Sequence, residues 1–94
     1  MEMYNPAHPG IILKEEVLEP LGIGVAEAAL KLGVSRQTLS GVLNGRIGIT
    51  PNMALRIAKS FNTTPDVWLR EQLAYDLWRA KQNIDLSDVQ VIAM

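Results

Sequence analysis

The chain has 94 residues, 48% of them hydrophobic and 5% aromatic, with a formal net charge of −1. Those figures describe one small domain with an aliphatic core, near the lower size limit for a fold that holds itself together. No apolar run is long enough to cross a bilayer, MEMYNPAHPG lacks the basic and apolar regions of a secretory signal, and the lack of cysteine excludes a disulfide framework or a thiolate metal site, so a cytoplasmic protein with no membrane association is expected.

Residues 1–8 read as an irregular arm, with Pro6 and Pro9 breaking any regular element. Helix 1 is expected over about residues 9–18, with Pro9 at the first helical position. Ile12, Leu13, Glu16, Val17 and Leu18 lie along one stripe, Lys14, Glu15 and Glu19 face water, and Pro20 and Gly22 end the helix. His8 is the only histidine and has no His, Cys or carboxylate at ligand spacing. It reads as a capping or surface residue, and neither a metal nor a cofactor is expected.

Helix 2 is expected over residues 25–32, where Val25, Ala28, Ala29 and Leu32 follow an i, i+3, i+4, i+7 pattern. Gly24 takes its N-cap position, Gly33 ends it in the left-handed region, and Val34 follows as an apolar plug. Ser35 then stands where an N-cap belongs, its hydroxyl able to accept from the N–H of Gln37 or Thr38. Helix 3, over residues 36–43, buries Leu39, Val42 and Leu43 and shows Arg36, Gln37, Ser40, Gly41 and Asn44 on its other side. Two short helices joined through a glycine turn form the helix-turn-helix unit, whose second helix enters the DNA major groove.

Asn44, Gly45 and Gly48 read as a flexible connection that carries Arg46. Helix 4 is expected over residues 51–61, capped by Thr50 with Pro51 first. Met53, Ala54, Ile57, Ala58 and Phe61 form its buried face, Arg56 and Lys59 point outward, and Asn62 suits the C-cap. Helix 5, over residues 65–82, repeats the device with Thr64 and Pro65, and Asp66 suits the positive end of the helix dipole. Trp68, Leu69, Leu73, Tyr75, Leu77 and Trp78 give it more apolar surface than one small core absorbs. Trp68 reads as core, while Trp78 is either core or a dimer or partner contact. In the tail, residues 83–94, apolar Ile84, Leu86, Val89 and Val91 alternate with polar residues. The tail is either a strand, which would need a partner chain to pair with, or a short helix from Ser87. The whole is an all-α, five-helix, repressor-like single domain.

Charge distribution adds to this reading. No carboxylate stands between Glu27 and Asp66, while Lys31, Arg36, Arg46, Arg56 and Lys59 all do. That window carries +5 and the two ends together −6, an electrostatic footprint for phosphate. On helix 3 the Gln37 amide can bond adenine N6 and N7, and the Arg36 fork matches guanine or a phosphate. Thr38 and Ser40 can bond phosphate, and the Thr38 methyl can touch thymine. Asn44 can reach a base or the backbone, and Arg46 a backbone phosphate. Ser35 can offer hydroxyl and amide to a phosphate at the positive helix end. Gly41 marks either a close approach to the sugar-phosphate backbone or a missing side chain. Trp78, Tyr75, Val89 and Val91 are candidate dimer or partner contacts. No nucleophile–base pair, phosphate loop or buried carboxylate pair is present, so an enzyme is not expected.

Several stretches carry a family resemblance: His8-Pro9-Gly10, LGVSRQTLSGVLNGR from Leu32 to Arg46, ITPNMALRIAK from Ile49 to Lys59, Pro65 to Leu69, and YDLWRA from Tyr75 to Ala80. Across residues 8–82 the chain resembles the HigA-type antitoxins of bacterial toxin–antitoxin modules, within the Xre or phage-repressor-like helix-turn-helix proteins. The resemblance implies a homodimer that binds a palindromic operator in its own promoter. It also implies a cognate toxin, an mRNA-cleaving ribonuclease of the HigB type, that the protein binds and neutralises. The family's DNA-contacting positions fall on Ser35, Arg36, Gln37, Thr38, Ser40 and Asn44, with Arg46 in the loop behind. The chain departs from the family at Gly41, where a basic or polar residue is common, and at Gly24, where Ser or Thr is usual. The alternatives are a repressor with no toxin partner and a protein-binding module that has lost its DNA affinity.

Overall fold

Five helices and no strand make up residues 5–93, the part described by the computed structural model. The first, α1, spans residues 9–21 in three pieces: α-helical over Pro9–Ile12, a π-helical stretch over Leu13–Leu18, and α-helical again over Glu19–Leu21. After it come α2 (Val25–Leu32), α3 (Arg36–Leu43), α4 (Pro51–Phe61) and α5 (Pro65–Asn83).

The expected stop at Leu18 is not there. The helix continues through Pro20, and Gly22, left-handed at φ 70°, ends it. In a regular α-helix the Pro20 ring would press on the carbonyl four residues back. Here the widened stretch comes just before the proline, where Glu19 N–H reaches past the α-helical acceptor to the Lys14 carbonyl. The same widening sends Leu13 and Leu18 into the core together. Five regular α-helical steps would turn them about 140° apart.

The other boundaries follow the punctuation of the chain. Gly33 closes α2 at φ 73°, and the Ser35 hydroxyl accepts from Thr38 N–H at 3.0 Å to open α3. Thr50 does the same for α4 through Met53 N–H at 3.2 Å, and Asn62 ends that helix at φ 57°. Thr64 holds the N-cap position of α5, but its hydroxyl makes no capping bond. The neighbouring Thr63 hydroxyl instead accepts from the Trp68 indole at 3.1 Å.

Each helix contributes to one core: Leu13 and Leu18 from α1, Ala28, Ala29 and Leu32 from α2, Leu39, Val42 and Leu43 from α3, Met53, Ala54 and Ile57 from α4, and Trp68 from α5. Enclosing a side chain such as Leu13, Leu39 or Ile57 stabilises the fold by about 1.5–3 kcal/mol. Backbone seats the start of α1 directly on α3, for a methyl group on Gly10 would overlap the Val42 carbonyl.

His8 is buried, not at the surface, and its Nδ1 caps α1 by accepting from Gly10 N–H at 2.9 Å. The expected irregular arm is described only from Asn5, and residues 1–4 lie outside the described part.

The tail is neither the strand nor the helix expected. Residues 84–93 are irregular around a turn at Ser87 and Asp88, where the Asp85 carboxylate accepts from Ser87 N–H at 2.9 Å. A lone strand has no ladder to complete its hydrogen bonds. Ile84, Leu86, Val89, Val91 and Ile92 all remain exposed, and the molecule measures 50 × 24 × 22 Å.

Candidate nucleic-acid interface

The turn between α2 and α3 is held by a residue expected to point freely outward. Arg56 on α4 donates from Nη1 to the carbonyls of Leu32 and Gly33, each at 3.1 Å, and from Nε to Asn52 at 2.7 Å. Its charge satisfies carbonyls at the C-terminal end of α2, where a cation suits the helix dipole. Lys31 is engaged too, at 3.5 Å from Glu27 one turn back on the exposed face of α2. Of the five cations in the carboxylate-free window, Arg36, Arg46 and Lys59 are exposed, and their side chains make no hydrogen bond or ion pair among the described residues.

The buried side of α3 holds Leu39, Val42 and Leu43, and this fixes which side faces out. Arg36, Gln37 and Thr38 are exposed, and Ser35, Arg36, Gln37 and Ser40 line one shallow, open depression. The Ser35 hydroxyl also donates to the Thr38 hydroxyl at 2.8 Å, so both are set in place before any ligand arrives. Asn44 is exposed, with its amide on the Ser40 hydroxyl at 3.3 Å. The candidates Ser35, Arg36, Gln37, Thr38, Ser40 and Asn44 therefore share one helix and its two ends.

Gly41 is not part of that surface. It is buried, and a methyl group there would overlap the Cδ1 end of Ile47. The loop after α3 folds back, with Arg46 and Ile47 N–H both on the Gly41 carbonyl at 2.9 and 3.1 Å, and Ile47 lies over the glycine. Both expectations for Gly41, an approach to the DNA backbone and a missing contact side chain, give way to this seat. Nor is the loop a loose connection. Gly45 is left-handed at φ 76°, Ile49 is buried, and Ile49 N–H donates to Gln72 Oε1 at 2.7 Å. Arg46 projects from this fixed loop into solvent.

Gln72 is the residue the sequence did not single out, and the close seat of Gly10 on Val42 was not legible in it either. The position of Gln72 one turn after Trp68 was the available signal, since it puts a polar side chain on the buried side of α5. Its amide also donates to Asp76 at 3.0 Å.

On α5 the apolar residues divide. Trp68 is core, Trp78 and Tyr75 are half-buried, and Leu73 and Leu77 are exposed. Tyr75 meets the His8 ring edge-on at 4.9 Å, and the Arg79 guanidinium lies 5.8 Å from the Tyr75 ring centre. Burial pushes the His8 imidazole below its ordinary value of 6.5, Asp76 opposes the shift, and Arg79 adds to it. Val89 and Val91 sit exposed on the tail. Among the described residues no group of three His, Cys, Asp or Glu could hold a metal, and no helix is long and apolar enough to cross a membrane.

A helix-turn-helix family matches residues 14–68, which take in α2, α3, α4 and the pinned loop. Virulence-associated protein A' of Dichelobacter nodosus is 46% identical over 76 residues, covering 80% of this chain but only 65% of that protein. The antitoxin HigA-1 of Vibrio cholerae is 41% identical over 74 residues, covering 79% of this chain and 70% of that one. A solved structure of the antitoxin GraA in complex with its operator superposes with a TM-score of 0.83 at 38% identity, over 97% of this chain and 95% of that one.

Proposed function

Because this chain belongs to the helix-turn-helix family that its residues 14–68 match, we propose that it is a HigA-type antitoxin that represses its own operon and neutralises a toxin. Two copies related by a two-fold axis each set α3 into the major groove of a palindromic operator, with half-sites about one helical turn, ~34–36 Å, apart. Gln37 reads adenine and Arg36 reads guanine or holds a phosphate. Ser35, Thr38, Ser40, Asn44 and Arg46 fix the register on the backbone. Trp78, with Val89 and Val91 of the tail and the outer edge of Tyr75, contacts the second copy or the toxin. The protein acts in the cytoplasm and has no catalysis of its own.

One observation carries this reading. Arg36 and Gln37 stand exposed on α3 beside Ser35 and Ser40, while the opposite side of the same helix is core. The likeness to an antitoxin solved with its operator supports it.

The test is an anisotropy titration with the DNA upstream of the chain's own gene and a scrambled duplex of the same length. The expected preference for the upstream DNA is at least about 10³-fold, and equal affinity would overturn the operator reading. Co-expression with the adjacent gene then tests the toxin, through co-purification and growth rescue. Operator binding without rescue identifies the alternative, a repressor with no toxin partner.

A further inference from the structure

We propose that Gln72 of α5 is a positioning residue for DNA binding, holding the loop after α3 so that Arg46 meets a phosphate. The inference rests on the operator reading above.

Gln72 is only 8% exposed, yet it carries an acceptor and a donor, and both are used. Its Oε1 takes the N–H of Ile49, 23 residues earlier in the chain, at 2.7 Å. Its Nε2 donates to Asp76 at 3.0 Å, which settles which end of the amide faces the loop. Gly48 leaves the room for this approach, since a methyl group there would stand 3.1–3.4 Å from the amide atoms of Gln72.

Arg46 sits between two anchors. On one side the Gly41 carbonyl holds the N–H groups of Arg46 and Ile47, and on the other Gln72 holds Ile49. The start of the loop also meets α5 indirectly: a methyl group on Gly45 would touch His8, whose ring packs on Tyr75. An arginine on a loose loop loses conformational freedom when it is captured by a phosphate, and that loss lowers affinity. Fixing the loop in the free protein removes the loss before the duplex arrives. Satisfying a buried N–H alone would stabilise the fold, whereas positioning Arg46 also sets how many phosphates the protein neutralises, and that number is measurable.

Gln72→Met keeps the length and apolar stem of the side chain and removes the acceptor. Circular dichroism with a cooperative melt verifies the fold. Operator affinity is expected to fall about tenfold per half-site, and the slope of log Kobs against log salt to shrink by about 1.8, one phosphate contact in each half-site. Arg46→Ala should lose the same increment, and the double variant should lose no more than either single one. The pair Gln72→Glu with Asp76→Asn puts an acceptor back under Ile49 and a donor at position 76, and should restore the slope. Gln72→Asn, whose amide falls one methylene short of Ile49, gives the same reading should the methionine variant not fold.

A wild-type slope in the Gln72 variants, alongside a reduced one in Arg46→Ala, overturns the positioning role and leaves the operator reading standing. Additive losses in the double variant overturn it too, and so does the failure of both single variants to melt cooperatively. A wild-type protein that does not prefer its upstream DNA takes down both.

Discussion

Two glycines show how the same residue serves opposite constraints. Gly10 lies where any Cβ would run into the Val42 carbonyl, and backbone cannot rotate out of the way. Gly10→Ala is therefore expected to destabilise the protein by about 1–3 kcal/mol, the usual penalty for overpacking, read as a lower midpoint in urea. Gly24 occupies the N-cap of α2 at φ −82°, and a methyl group added there would meet nothing within 4 Å. Gly24→Ser gives the orphan N–H groups of α2 an acceptor and should stabilise by a few tenths of a kcal/mol. On the reading face, Gln37→Ala should narrow the gap between operator and scrambled DNA by ~1–3 kcal/mol per half-site. In competition gel shifts, an operator preference equal to that of the wild type would sink the assignment.

At the level of elements, the caps made the fold readable. Gly33 with Ser35, Thr50 with Pro51, and Thr64 with Pro65 mark helix ends by local chemistry, and α2 to α5 lie where those residues put them. The exposed residues of α3 were readable for the same reason, because periodicity puts Gln37 opposite Leu39 and Val42, and Arg36 is the first residue after the Ser35 cap. What escaped depends on residues far apart in the chain. Gly41 faces a loop that folds back, Arg56 serves carbonyls 23 and 24 residues earlier, and Gln72 meets Ile49 across 23 residues. Helix α1 escaped for another reason: Pro20 is an ordinary stop signal, and only the widened turn before it lets the helix continue. The cap on α1 carries a pH dependence. His8 accepts at Nδ1, so protonation removes the capping bond, and burial already holds its folded value below 6.5. The unfolded chain binds the proton more readily, so this stabilisation is complete above pH 6.5 and declines as pH falls through the folded value. Thermal melts should show a lower midpoint at pH 5.5 than at 7.5. His8→Asn, which keeps a capping acceptor and cannot titrate, should flatten that part of the difference.

The whole molecule is longer than its core requires. A packed chain of this length has a radius of gyration of ~12 Å, against 15.9 Å here. Leu73 and Leu77 on α5 and the apolar residues of the tail stay outside. If a second copy covers them, Leu77→Lys should shift the mass measured by light scattering toward the monomer and weaken operator binding in parallel. An unchanged mass would place that contact elsewhere. The seat of α3 has a further mechanical consequence. Gly10 abuts Val42, Ile47 rests on Gly41, and Arg56 grips the turn just before Ser35. A helix held at its start and through its last turn is a stiff element, so on the operator reading the strain of docking is expected to fall on the duplex. On the proposed two-fold reading, base pairs between the half-sites should then influence affinity through their stiffness. Exchanging a flexible pyrimidine–purine step there for a rigid A-tract would reveal it.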